Sequence, residues 1–138
     1  MALRSVALDT NAYTAFKLGR PEARAIIKGA DVIGLSAVMV GELLAGFAAG
    51  GRESRNRSEL MQFLSSPRVR IHPVSETTAD YYARVYAVLR RKGRPIPTND
   101  LWIAASALEQ GLRLYSYDAH FTEVDGLICG SVPEVFLL

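Results

Sequence analysis

The strongest constraint on this chain is a series of short apolar runs set between longer stretches of helical periodicity. Ser5 to Leu8, Val32 to Leu35, Val69 to Val74 and Arg113 to Ser116 read as strands, with Leu127 to Cys129 as a short fifth. Between them, Asn11 to Leu18 and Pro21 to Lys28 read as helices, the second with Pro21 in its first turn. Ser36 is placed to cap a helix running to about Ala49, closed by Gly50-Gly51. Glu53 to Leu64 and Thr78 to Lys92 are amphipathic, the latter ended by Gly93, and Asn99 is placed to cap a helix from Asp100 to Gln110. Strands lacking in–out alternation are buried on both faces, as in parallel sheets. Alternation of strand and helix then predicts a three-layer α/β/α sandwich around a central, mainly parallel sheet. Ligands of such sheets bind beyond the carboxyl ends of the strands.

The chain of 138 residues fits a single domain spanning 1–138, and 49% hydrophobic residues supply its core. A net charge of +2 excludes a uniformly basic coat for nucleic acid. The sole cysteine, Cys129, excludes an internal disulfide and a cysteine-based zinc cluster, and reads as a buried, inert thiol. No run is long and charge-free enough to span a bilayer, so a cytoplasmic protein with no membrane partner is expected. His72 and His120 lack zinc-motif spacing, and His120, beside Asp118, reads as structural, with a substrate contact as the alternative.

Four acids sit where acids are costly. Asp9 ends Val6-Ala7-Leu8, and Glu42 is the only charge between Leu35 and Gly51. Asp100 precedes Leu101-Trp102-Ile103-Ala104-Ala105, and Asp118 follows Leu114-Tyr115-Ser116-Tyr117. Each has a local explanation. Asp9 can cap a helix, Glu42 can edge a buried stripe, Asp100 can complement a helix dipole, and Asp118 can form a turn. All four flank core elements, however, and an isolated buried carboxylate is costly unless it is paired or coordinates metal. Carboxylate sites suit hard divalent cations, and a shared cation offsets mutual repulsion. Asp9 and Asp118 each follow a strand, which places both on one rim of the sheet.

Arg90, Arg91, Lys92 and Arg94 precede Asp100 directly. They read either as a solvated helix end or as a phosphate-holding rim beside the acids. Arg52, Arg55 and Arg57 read as solvated surface, and Tyr13, Phe16 and Phe47 as core, with the wall of a partner groove as the alternative.

At Val6-Ala7-Leu8-Asp9-Thr10-Asn11, Ser36 to Leu43, Gly93 to Ala105 and Leu114 to Phe121, the chain resembles the PIN-domain ribonucleases, and among them the VapC-like toxins. Order, spacing and length agree over nearly the whole chain. Ser116 stands where Thr is usual, keeping the hydroxyl, and Tyr117 where Arg or Asn is common. The resemblance implies that Asp9, Glu42, Asp100 and Asp118 are catalytic and hold one or two Mg²⁺ or Mn²⁺ ions, with Asn11 and Ser116 as polar supports. It implies a homodimer that cleaves RNA to inhibit translation and growth, restrained by a small cognate antitoxin. The alternative is a non-catalytic RNA- or protein-binding module on a PIN scaffold. An intact set of acids argues against that alternative. Phosphotransfer folds fit less well: Asp9-Thr10-Asn11 lacks a second acid, and none of Lys17, Lys28 and Lys92 follows a late strand.

Overall fold

The structure, a computed structural model, describes residues 5–137; residues 1–4 and 138 of the expected domain lie outside that range. In chain order the elements are β1 (Val6–Leu8), α1 (Thr10–Lys17), α2 (Pro21–Gly29), β2 (Ile33–Ser36), α3 (Ala37–Ala49), α4 (Glu53–Leu64) and β3 (Val69–His72). They continue with α5 (Glu76–Lys92), α6 (Thr98–Gln110), β4 (Arg113–Tyr115) and β5 (Cys129–Gly130). Short 3₁₀ turns span Ala119–Glu123 and Pro133–Phe136.

All pairings are parallel, in the order β3-β2-β1-β4-β5. β1 is central, flanked by Ile33 at Val6 on one side and by Tyr115 at Leu8 on the other. The order runs outward in one direction to β3, then returns across the sheet to β4. Because crossovers are right-handed, this reversal seats the helices of the two halves on opposite faces. The expected α/β fold is therefore found.

The core explains why these runs fold as they do. β1 and β2 are buried on both faces, and α6 buries Leu101 and Ile103 through Ala107. β3 departs from the expectation of full burial. Its Arg70 and Ile71 are exposed because it is an edge strand, and it ends at His72 because Pro73 has no N–H to give a ladder. The cap at α6 also differs from expectation. The helix begins at Thr98 with Pro97 as its N-cap, so Asn99 is inside the first turn and its side chain is free for another partner.

Gly34 marks a close approach. A Cβ there would lie 2.5 Å from Leu112 Cδ1 and 3.0 Å from His72 Nε2. Both neighbours pack against β2, so Gly34→Val is expected to cost about 2 kcal/mol through overpacking. Urea unfolding at constant m-value checks this.

Candidate active site

The rim where the strand order reverses, between the carboxyl ends of β1 and β4, is where an open parallel sheet leaves a crevice. Here it opens as a cleft of about 670 Å³ whose lining includes Asp9, Glu42, Asp100 and Asp118. The structure thus brings the four acids together from four separate parts of the chain.

Asp9 is fixed first. Its backbone N–H donates to Tyr115 O at 2.9 Å, locking the end of β1 to β4. The side chain caps α1, accepting from Thr10 N at 2.8 Å, and also accepts from Ser116 Oγ at 2.7 Å. Capping and membership of the cleft are therefore not alternatives for this residue. Asp9 is only 3% exposed. Burial pushes its pKa from 3.8 up to about 6; the Ser116 and Thr10 hydrogen bonds oppose that shift, while the charges of Asp100 and Asp118 add to it.

Glu42 projects from α3 at the edge of the buried stripe formed by Met39 and Leu43. The neighbours on its other side, Ala45 and Gly46, are exposed rather than core-like, so its face is half-buried and open to the cleft. Thr10 Oγ1 donates to Glu42 Oε1 at 2.8 Å, and Asn99 Nδ2 donates to Oε2 at 3.3 Å. Both oxygens of Asp9 and both of Glu42 thus carry a protein hydrogen bond.

Asp100 and Asp118 are held differently. Asp118 heads the 3₁₀ turn, but its side chain makes no capping bond; its N–H donates to Ser116 Oγ at 3.0 Å. Asp100 Oδ2 lies 2.8 Å from His120 Nε2, within ion-pair range. Desolvation raises the Asp100 pKa, His120 opposes that, and Asp118 and Glu42 add to it. Ligand atoms of Asp100, Asp118 and His120 lie within 4.8 Å of one another.

The supporting residues also fall in place. Asn11 Oδ1 accepts from Tyr117 N at 3.2 Å, tying α1 to the segment after β4, while the Ser116 hydroxyl links Asp9 to the backbone of Asp118. The basic run before α6 lies elsewhere. Arg90 donates to Tyr86 OH at 3.0 Å, Lys92 pairs with Asp125, and neither Arg91 nor Arg94 lines the cleft. The cation that does line it is Arg20, at the turn between α1 and α2. Arg20 and the His120–Asp100 contact escaped sequence reasoning; Gly19-Arg20-Pro21, a helix-ending glycine beside a helix-starting proline, was the available signal for the turn.

Cys129 is half-buried and its thiol pKa is raised by burial, in line with an unreactive thiol. Arg52 and Arg55 are exposed as expected, and Tyr13 is core. Among the described residues no helix is long and apolar enough to cross a membrane.

The family profile of the PIN domain matches residues 6–127. The ribonuclease VapC5 of Mycobacterium tuberculosis (strain ATCC 25618 / H37Rv) is 31% identical over 119 residues, covering 86% of this chain and 87% of the relative. Among solved structures, VapBC2 from Rickettsia felis, bound to a DNA fragment from its promoter, superposes with a TM-score of 0.80 at 26% identity, covering 93% of this chain and 98% of that one. VapBC-5 from Mycobacterium tuberculosis, a member of the VapBC family of toxin–antitoxin systems, gives 0.69 at 26% identity, covering 93% and 97%. With the acids gathered at the strand reversal and a family match that spans most of its length, the chain belongs to the PIN-domain family, alongside the VapC ribonucleases.

Proposed function

We propose that this protein is a divalent-metal-dependent endoribonuclease, acting as the toxin of a toxin–antitoxin pair and cleaving RNA to inhibit translation and growth. The observation that carries the reading is the gathering of Asp9, Glu42, Asp100 and Asp118 around one cleft, with Asp9 buried and without a basic partner among the described residues. The donor set fits a hard cation. It is carboxylate oxygen with one imidazole beside it; burial raises the pKa of Asp9 and Asp100, neighbouring carboxylates add to that, and a bound Mg²⁺ or Mn²⁺ offsets both. Asp9, Glu42, Asp100 and Asp118 would hold one or two such ions. When bound, the metal supplies Lewis-acid polarisation of the phosphodiester and an activated water.

The chain's own residues do the rest. Ser116 and Thr10 hold the Asp9 carboxylate, and Thr10 and Asn99 hold Glu42, which presets both acids toward the cleft. One hydrogen bond on each oxygen of Asp9 and Glu42 leaves a lone pair there for a cation, and Asp100 and Asp118 are the candidates to accept a proton from the attacking water. Asn11 and Ser116 hold the segment that carries Asp118.

An acidic cleft attracts a cationic side chain, which is the chemistry expected of an antitoxin tail that masks Asp9 and Asp118. A second groove of about 410 Å³ continues from the cleft past Thr14 and Leu18, with Tyr13, Leu43 and Phe47 among its lining residues. Its position between α1 and α4 suits the apolar part of such a tail. α3 carries one charge in 13 residues and buries only Met39 and Leu43 fully, which supports a homodimer formed on that helix. Arg90, Arg91, Lys92 and Arg94 would serve RNA outside the cleft. The reading implies a cytoplasmic protein.

The test is cleavage of total cellular RNA by purified, antitoxin-free protein, with ends mapped by sequencing. Discrete cuts are expected with Mg²⁺ or Mn²⁺ and none in EDTA. Cuts that persist in EDTA would refute the metal reading. Their absence from folded, metal-binding protein would favour the non-catalytic binding module instead.

A further inference from the structure

We propose that Arg20 and Tyr117 form a built subsite for single-stranded RNA on the wall of the cleft, with the guanidinium contacting a backbone phosphate and the Tyr117 ring stacking the adjoining base. The inference rests on the ribonuclease reading above and names how that site holds its substrate.

Arg20 is locked in place by its backbone although its side chain is exposed. α1 ends with Leu18 as C-cap and Gly19 in the left-handed region at φ 79°. The N–H of Gly19 donates to Phe16 O at 3.0 Å, and that of Arg20 to Ala15 O at 3.1 Å. This pair of bonds is the Schellman pattern, and it fixes the residue after the glycine. On the other side, Arg20 is the N-cap of α2, its carbonyl accepting from Arg24 N at 3.0 Å, and Pro21 follows. Two helices therefore grip the one residue whose side chain enters the acidic cleft as a cation.

The charge of Arg20 is not committed to the acids. Among the described residues, no carboxylate lies within ion-pair distance of it, although four line the same cleft. Instead its guanidinium carbon stands 5.4 Å from the centre of the Tyr117 ring. That contact is a cation–π arrangement in which the guanidinium covers one face of the ring, so a base takes that face as the guanidinium moves off it onto the phosphate.

Tyr117 is equally fixed. Its hydroxyl donates to Glu22 Oε2 at 3.0 Å and lies 2.6 Å from the hydroxyl of buried Tyr115, while its N–H is held by Asn11. A ring pinned at both ends is a rigid platform, and aromatic faces stack bases of any identity. Tyr117 lines the same cleft as the four acids, so a base on its ring belongs to the strand that enters that cleft. A cation on the same wall brings the polyanion into a cleft that would otherwise repel it.

The experiment uses the Asp9→Asn protein in Mg²⁺, with fluorescein-labelled single-stranded RNA of about ten nucleotides, followed by anisotropy across a salt series. Adding Arg20→Gln is expected to weaken binding about tenfold and to flatten the slope of log K against log salt by about 0.7, the value for one phosphate contact on a single strand. Arg20→Lys restores the slope, since it keeps the charge. Tyr117→Leu weakens binding about tenfold with the slope unchanged, whereas Tyr117→Phe, which keeps the ring and loses its hydroxyl contacts to Glu22 and Tyr115, weakens it by about threefold at most. Affinity and slope unaltered by Arg20→Gln would overturn the subsite, as would weaker binding with no change in slope. Parallel cleavage by the otherwise wild-type protein separates the two readings. Cleavage with no Arg20 effect on binding refutes the subsite alone; an Arg20 effect with no cleavage refutes the ribonuclease and leaves the subsite standing.

Discussion

Asp9→Asn is expected to reduce RNA cleavage to background, at least about a thousandfold, while leaving the fold intact. The residue is the most buried of the four acids and its two oxygens are both fixed, so its charge is the least replaceable by water or by a neighbour. Asparagine preserves shape and one acceptor but removes the charge that would hold a cation. A circular dichroism spectrum matching wild type, together with loss of Mn²⁺ binding by calorimetry, separates a lost site from a lost fold. Turnover within tenfold of wild type would remove Asp9 from the reaction. The parallel change Glu42→Gln tests whether the acid on α3 belongs to the same unit, because groups acting together lose activity non-additively.

The reason Asp9 was visible in the sequence is local. A strand that ends in an acid before a helix puts that acid on the sheet's carboxyl rim whatever the rest of the chain does. Asp118 follows β4 by the same logic. Helix limits such as Glu53–Leu64 and the Ser36 cap of α3 were legible for similar reasons, being set by residues within one turn. What sequence could not supply was the strand order. Only the return from β3 to β4 beside β1 makes Asp9 and Ser116 hydrogen-bond partners 107 residues apart. Asn99 shows the same limit: its type favoured a cap, yet Pro97 took that position and Glu42, 57 residues away, took its side chain. His120 was hidden because its significance lies in Asp100 on another helix. The edge position of β3 was also a matter of order, since Ile71 reads as a core residue and only the edge leaves it exposed.

The unfolding curves of wild-type protein and Asp9→Asn are expected to cross as pH rises in the absence of divalent metal. Asp9 has its pKa raised from 3.8 to about 6 on folding, so the native state binds the proton more tightly than the unfolded chain. Stability therefore falls with pH, beginning near the unfolded value and reaching its full loss above about 6. That shift corresponds to roughly 3 kcal/mol at neutral pH. The shift of Asp100 has the same sign and adds to the fall, while half-buried His72, whose pKa is lowered, gives an opposing rise at pH below its ordinary 6.5. Comparing the two proteins cancels His72. Asparagine at position 9 accepts from only one of Thr10 and Ser116, a cost of about 1 kcal/mol at every pH. The variant should then be less stable than wild type by about 0.5 kcal/mol near pH 4 and more stable by about 2 kcal/mol near pH 7, a reversal of several degrees in Tm. Mg²⁺ or Mn²⁺ at about a hundred times its dissociation constant should raise wild type by about 2.7 kcal/mol at neutral pH and leave the variant nearly unmoved. A difference in Tm that stays constant from pH 4 to pH 7 would mean that Asp9 carries no strained charge. The metal would then have nothing at this position to relieve.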